Sequence, residues 1–278
     1  MVHIKLAGGL GNQMFQYSFY KAFIKTNKNT KVKIDISWYF DKKRISLYKL
    51  NIFNNIKIKK PSNKFLIIKK YATKFRNLIY RVFNLFYIEN DDGFDSNVIN
   101  INKGIIYGYF QNEKYFESVK DEVHDYFIFD IKEEEIIKLA KEMENTNSVS
   151  IHIRRGDYLK YPKRYEGICD LDYYEKAIEY MIKNVDNPVF YVFSNDIEWA
   201  KENIKYNNIN YIDLSCYEKD WYDMYLMSNC KNNIIANSSF SWWAAYLNKN
   251  KNKIVISPCK WDNLLPNKNS CCSNWINV

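Results

Sequence analysis

Apolar positions along the chain fall in short runs with two different periods, separated by polar turns. Val149, Ile151 and Ile153 alternate with Ser150, His152 and Arg154, the period of two that marks a strand. Between Asn12 and Thr26 the large apolar residues Met14, Phe15, Phe19, Ala22 and Phe23 fall on one side of a helix. The pattern predicts a strand over 2–6, a glycine loop from Ala7 to Gly11, that helix, and a strand over 32–38, which together make one βαβ unit. Residues 42–90 read as helix and loop, 105–130 as mixed, and 133–144 as a charged helix.

The second half is more regular. Predicted strands at 149–153, 189–193, 210–214, 233–236 and 254–257 alternate with predicted helices at 173–183, 197–205, 220–229 and 240–248. Such alternation argues a parallel, doubly wound α/β sheet. Val189 to Phe193 is apolar on both faces, as a central parallel strand requires. The chain has 278 residues, long enough for two such domains facing one cleft. Asn145-Thr146-Asn147 is the boundary candidate, giving domains 1–146 and 147–278, and the C-terminal tail is a candidate to pack back on the first domain.

In an open parallel sheet ligands bind beyond the carboxyl ends of the strands, so the residues after each strand matter most. They read Arg154-Arg155-Gly156-Asp157, Ser194-Asn195-Asp196, Asn237-Ser238-Ser239-Phe240-Ser241 and Pro258-Cys259-Lys260-Trp261. The first three are short and polar. His152 and Arg154 share a strand face about 7 Å apart, a spacing suited to a ligand with a base at one end and phosphate at the other. Gly156 permits a sharp turn and leaves Asp157 at the rim. Ser238 to Ser241 open a helix, where free N–H groups favour an anion. A plain serine cap is the alternative, and Arg154 at the same edge tips the reading toward phosphate.

Two further features have a functional and a bland reading each. The turn Ala7-Gly8-Gly9-Leu10-Gly11-Asn12-Gln13 allows close backbone approach to a ligand or is simply a turn; it is neither G-x-G-x-x-G nor a P-loop. Asp223 is either an exposed helical acid or a carboxylate accepting two donors at once, as guanine offers with N1–H and its amine. Asp170-Leu171-Asp172 has the D-x-D spacing of metal-dependent glycosyl transfer, but it directly precedes a helix and is read as a cap. Arg155-Gly156-Asp157 matches an adhesion tripeptide, which would need a secreted chain. His3 and His124 are read as packing or surface residues.

Composition narrows the class. Apolar content is 47%, with only five prolines and eight glycines, which argues for a folded core without long linkers. The six cysteines form no C-x-x-C pair and there are three histidines, so no metal site is expected and reduced thiols are. The N-terminus lacks the long apolar stretch of a signal peptide or membrane span, and a cytoplasmic location is expected. Net charge is +9, but residues 1–90 hold 19 Lys+Arg against 3 Asp+Glu (+16), leaving 22 against 29 (−7) for the rest. Within the basic half, residues 57–81 interleave base with apolar groups. That segment is either an amphipathic helix on an anionic membrane face or a helix covering a core with a solvated basic edge. No nucleic-acid motif accompanies the charge.

Gly9 to Tyr17, His152 to Tyr158, Ser194-Asn195-Asp196 and Asp223 through Trp243 together resemble the bacterial α-1,2-fucosyltransferases of glycosyltransferase family 11. The resemblance implies a GT-B-like pair of Rossmann-type domains with parallel sheets facing a central cleft. It implies inverting, metal-independent transfer of L-fucose from GDP-β-L-fucose to the 2-hydroxyl of a terminal galactose, with no cofactor. By that resemblance residues 1–146 form the acceptor side and 147–278 bind GDP-fucose. Arg154 would hold the β-phosphate, and His152 and Asp223 the guanine. Ser239, Phe240 and Ser241, with Ser238, would line the diphosphate pocket. Gly9, Gly11, Gln13, Ser194 and Asn195 are further substrate-binding candidates. Asn12 would approach the fucose from the other domain, and Asp157 is the first candidate for general base. Expected partners are GDP-fucose, a galactose-terminated or lipid-linked glycan, and an anionic membrane at the inner face of the cell. A transferase using another GDP-sugar and a non-catalytic GDP-binding module remain open.

Overall fold

The computed structural model describes residues 1–40, 46–58, 74–75, 77–79, 82–83, 85–90, 93–268 and 270–278, and within these the alternating pattern becomes two parallel sheets in two compact units, Met1–Asp130 and Ile131–Val278. The first unit contains β1 (Val2–Lys5), α1 (Leu10–Thr26), β2 (Val32–Asp35), β3 (Phe86–Ile88) and β4 (Gly104–Tyr107), with strand order β2-β1-β4-β3 and every pair parallel. Val2 and Ile4 of β1 bury against Phe19 and Phe23 of α1, with Val98, Ile106, Phe110 and Tyr115 completing the cluster. The rings of Phe19 and Phe110 stack at 4.0 Å, an aromatic contact that fixes helix against sheet.

The strand expected over 32–38 stops at Asp35. Its carboxylate accepts from the Ser37 N–H at 2.9 Å, a local turn that competes with the ladder, and Ser37–Phe40 winds into a 3₁₀ turn. β3 and β4 fall in stretches whose pattern reads as helix and loop (42–90) and as mixed (105–130), so neither is expected from it. Most of the basic 57–81 segment lies outside the described residues.

The second unit follows the predicted alternation closely: α2 (Glu134–Asn145), β5 (Ser148–Ile153), α3 (Leu171–Asn184), β6 (Val189–Ser194), α4 (Ile197–Asn203), β7 (Ile209–Ile212), α5 (Trp221–Asn229), β8 (Asn232–Ile234), α6 (Ser239–Leu247), β9 (Val255–Ser257) and β10 (Ile276–Asn277). The order is β10-β9-β8-β5-β6-β7, all parallel. From β5 the chain steps outward to β6 and β7, then returns to place β8 on the other side of β5. Since parallel crossovers are right-handed, the helices after β5 and β8 must lie on opposite faces. The packing agrees. Val149, Ile151 and Ile153 bury against Tyr173, Tyr174, Ala177, Ile178 and Met181 of α3. Ser150 and His152 face the other layer, where the Ser150 hydroxyl accepts from Asn233 at 2.7 Å and Asn233 also donates to the Met227 carbonyl of α5 at 2.8 Å.

Two boundary expectations need correction. The units divide between Asp130 and Ile131, upstream of the expected 146/147, because α2 buries Ile136, Ala140 and Met143 and packs on α5. The C-terminal tail belongs to the sheet of the second unit. It forms β10, paired Ile276 to Ile256 on β9, and the Trp275 ring sits 5.4 Å from that of Trp242 on α6.

Gly104 opens β4 at φ +111°, and a Cβ there would lie 2.1 Å from the Leu85 carbonyl oxygen. Both the strained backbone and the clash with main chain oppose any side chain. Gly104→Ala should therefore lower stability by about 2 kcal/mol or more, a melting-temperature drop of roughly 4–8 °C. An unchanged melting curve would contradict this account of β4.

Candidate active site

The crevice where the strand order reverses lies between the carboxyl ends of β5 and β8, and the polar bursts after these two strands meet there. His152, near the end of β5, is 5% exposed, and its Nδ1 has no partner among the described residues. Burial, and then the charge of Arg154, push its pKa down to about 3. The ring is therefore neutral at physiological pH and offers one donor and one acceptor. It lies beside Phe240 in the first turn of α6, ring centroids 5.8 Å apart. An orphaned buried nitrogen costs on the order of 1–3 kcal/mol, and such an atom in a crevice suits a ligand's polar edge.

Arg154 is partly exposed. Its guanidinium pairs with Asp157 at 2.7 Å and lies 5.6 Å from the Tyr158 ring centroid. Tyr158 links the two loops: its hydroxyl donates to the Asn237 carbonyl at 2.9 Å, and its ring stacks on Tyr165 at 3.9 Å. Asn237 is buried and donates to the Trp261 carbonyl at 3.0 Å. Ser238 then caps α6, accepting from the Phe240 N–H at 3.3 Å. The Ser239 hydroxyl is half-buried and has no hydrogen-bond partner among the described residues. Ser241 is fully buried, with its hydroxyl within 3.4 Å of the Ala236 and Ser238 carbonyls. Ser238 and Ser241 thus shape the turn, while Ser239 is free to meet a ligand.

The loops after β5 and β6 are locked to each other. Asn195 accepts from the Arg155 N–H at 3.0 Å, and a Cβ on Gly156 would strike the Asn195 amide nitrogen at 2.0 Å. The Arg155 guanidinium pairs with Asp196 at 3.1 Å and lies 3.9 Å over the Trp199 ring. Ser194 accepts from the Asp196 N–H at 2.9 Å. Ser194 and Asn195 therefore carry the loop that presents Arg154, and Arg155 belongs to this scaffold, not to an adhesion motif.

Asp223 lies in the first turn of α5, which begins at the same sheet edge. No hydrogen bond or ion pair engages its carboxyl group among the described residues. Burial, and then the nearby acids Asp220 and Asp213, push its pKa up to about 7. Desolvated carboxyls with like-charged neighbours are unusual outside functional sites.

In the first unit, Gly9 caps α1 without a side-chain hydrogen bond, and a Cβ there would meet open space. Gly11 is buried. Asn12 is half-buried and accepts from Gln111 at 2.6 Å. Gln13 is fully buried: it donates to the Gly8 and Leu47 carbonyls at 3.0 and 2.8 Å and accepts from the Lys49 N–H at 2.8 Å. Gln16 accepts from the Ala7 N–H at 2.9 Å and donates to the Gly108 carbonyl at 2.7 Å. The two glutamines hold the glycine turn against its neighbouring loops, leaving Gly9 and Asn12 as the accessible members.

The other acids have structural partners. Asp170 caps α3, accepting from the Tyr173 N–H at 3.0 Å, and Asp172 pairs with Lys176 at 2.6 Å. Among the described residues no three His, Cys, Asp or Glu side chains gather as a metal site requires. None of the six cysteines is joined to another by a disulfide among the described residues.

The family model for glycosyl transferase family 11 matches residues 1–278. The chain belongs to that family. Two Escherichia coli relatives align along essentially their whole length: an α-1,2-colitosyltransferase, 35% identical over 100% of this chain and 99% of its own, and the O-antigen biosynthesis glycosyltransferase WbnK, 32% identical over 98% and 99%. Human galactoside α-(1,2)-fucosyltransferase 1 is 36% identical over a shorter stretch, 36% of this chain and 28% of its own. The GT-B-like arrangement of parallel sheets agrees with the structure of an Arabidopsis thaliana FUT1 variant in complex with GDP, TM-score 0.50, 12% identical, covering 91% of this chain and 69% of that one.

Within this family 11 glycosyltransferase, the contacts of Tyr158, Asn237, Gln16 and Gln111 have no mark in the sequence pattern. Tyr158 and Gln16 lie inside conspicuous motifs and only their contacts were missing. Gln111 meets Asn12 from 99 residues away, so no local signal marks it. Asp223 also yields a sign-definite test. Its pKa rises from 3.8 to about 7 on folding, so the folded state binds the proton more tightly and stability falls as pH climbs through that interval. Asp223→Asn removes the penalty, and its gain in melting temperature should be larger at pH 8 than at pH 5. Equal gains at both would mean the carboxyl is not desolvated.

Proposed function

We propose that this glycosyltransferase forms α-1,2 linkages, transferring L-fucose with inversion from GDP-β-L-fucose to the 2-hydroxyl of a terminal galactose in a lipid-linked or surface glycan. The observation that carries the reading is the β5/β8 crevice. It combines a buried, neutral His152 with an unpartnered nitrogen, the cation Arg154, and a serine-capped helix start. The α-1,2 specificities in the names of the colitosyl- and fucosyltransferase relatives support the linkage.

In this mechanism the C1–O bond to the β-phosphate breaks and its electron pair leaves with GDP. Arg154 and the free N–H groups at the start of α6 stabilise that charge. A guanidinium binds phosphate through parallel hydrogen bonds, so the donor displaces Asp157 from Arg154. Asp157, released, takes the proton of the attacking 2-hydroxyl. His152 and the ionised Asp223 hold the guanine edge, and Ser239 adds a donor to the diphosphate. No metal or cofactor takes part. A cytoplasmic site of action, where nucleotide sugars are made, completes the reading.

Incubating the protein with GDP-fucose, lactose and EDTA should yield 2-linked fucosyllactose, read by mass spectrometry and linkage analysis. GDP-colitose is the second donor to screen, because a full-length relative carries that name. Failure with both donors and no binding of GDP would remove the reading. Arg154→Ala should lower kcat by about 10²-fold or more with an unchanged circular dichroism spectrum; near-normal turnover would take Arg154 out of leaving-group stabilisation. Asp223→Ala should reduce the preference for GDP over ADP by about tenfold, corresponding to loss of a charge-assisted hydrogen bond. Unchanged discrimination would remove Asp223 from the base site.

A further inference from the structure

The segment that follows β9 touches both lips of the crevice. On the β8 side, the Trp261 carbonyl accepts from Asn237 at 3.0 Å. On the β5 side, Asp262 pairs with Arg164, Oδ2 to Nε at 2.5 Å. Asp262 is 4% exposed, and its other oxygen accepts from the Leu264 N–H at 3.0 Å. Asn263 adds two bonds to the same stretch of chain. Its N–H donates to the Arg164 carbonyl at 3.0 Å, and its amide donates to the Glu166 carbonyl at 2.9 Å. The helical turn Pro162–Tyr165 is thereby moored to the loop after β9. The bonds from Asn263 already hold the main chain. A buried carboxylate facing a guanidinium adds little net stability, because desolvation offsets most of the attraction. What the ion pair adds is one fixed placement of the Arg164 side chain.

That placement bears on the residues beside Arg154. The Arg164 guanidinium lies 5.8 Å from the Tyr165 ring centroid. Tyr165 stacks on Tyr158 at 3.9 Å, with the ring planes 15° apart. The Tyr158 hydroxyl sits on the Asn237 carbonyl, and Asn237 is the residue anchored to Trp261. The contacts from Asp262 through Arg164, Tyr165, Tyr158 and Asn237 to Trp261 therefore close on themselves. The Arg154 guanidinium rests 5.6 Å from the Tyr158 ring centroid, within the range of a cation–π contact. Its other contact, Asp157, is 55% exposed, and an ion pair open to water orients weakly. Tyr158 is gripped at both its ring and its hydroxyl, so it is the firmer guide.

We propose that Asp262 and Arg164 are positioning residues. Their ion pair sets the Tyr165–Tyr158 stack, and the stack sets the direction of the Arg154 guanidinium. Both act through Tyr158 and not on the donor. The catalytic consequence rests on the reading of Arg154 as the cation that binds the leaving diphosphate. The loop after β9 then belongs to the donor site without contributing a group to it.

The test is Asp262→Asn in the full chain. An amide has one acceptor oxygen where the carboxylate uses two, so either the Arg164 or the Leu264 bond is lost. Should this variant not fold, the double variant Asp262→Asn, Arg164→Gln leaves no unpaired buried charge and carries the same expectation. With an unchanged circular dichroism spectrum, kcat should fall about tenfold while KM for the acceptor stays the same. In an Arg154→Ala background the same substitution should lower kcat less than twofold, because the residue being positioned is gone. An equal loss in both backgrounds would overturn the proposal, as would parental kcat in the folded variant. Side-chain ¹⁵N relaxation gives a readout independent of turnover: the Arg154 Nε–H signal, assigned by its disappearance in Arg154→Ala, should become more mobile in Asp262→Asn. An unchanged Arg154 signal would also overturn the proposal. A parent inactive with every GDP-sugar would fault the transferase reading, while a loosened Arg154 in the variant would still establish the positioning.

Discussion

The second unit is organised by the reversal of strand order at β5. Once the chain has run β5, β6, β7 in one direction and brought β8 back to the opposite side of β5, right-handed crossovers send α3 and α6 to opposite faces. The loops leaving β5 and β8 must then diverge, and a crevice opens between them whatever residues they carry. The chemistry is written onto that constraint. Even positions of β5 face the α5/α6 layer, so Ser150 is spent on the buried amide of Asn233 while His152, two residues on, reaches the rim beside Phe240. Arg154 follows as the strand ends.

Burial and charge act together at that rim. His152 is kept neutral by desolvation and by Arg154, so it serves only as a hydrogen-bonding ring. Desolvation acts in the opposite direction on Asp223, where the neutral form of a carboxyl is its protonated form. The imidazole therefore keeps one state across the neutral range, and the carboxyl changes state within it. Any recognition step that needs the ionised acid is sensitive to pH near neutrality, although a bound donor-group pair would favour ionisation.

Much of this was legible in the sequence, and the reasons are specific. The strands of the second unit are bounded by polar turns, and the alternation from Val149 to Arg154 sets the face of every side chain in β5. β3 and β4 are not bounded by the clean alternation of strand and helix that marks the equally short strands of the second unit. The 32–38 strand was overextended because Asp35 ends it through its own side chain, a choice that hydropathy does not see. The domain boundary was drawn at a polar tripeptide, whereas the packing of α2 on α5 decides it. At the site, residue types pointed to Arg154, His152 and Ser239. Gln13 and Ser241 also looked available, and only the structure reveals that main-chain partners already occupy their polar groups.

Tyr158 bridges the two lips of the crevice, with its hydroxyl on the Asn237 carbonyl and its ring near the Arg154 guanidinium. The loops after β5 and β8 are therefore not separable parts. A chimera that takes one lip from a relative and keeps the other would set a mismatched span beneath the tyrosine, even if both parents are active. Diversification of this crevice has to proceed through paired changes, so the segments around residues 154–165 and 236–241 are best regarded as a single heritable block.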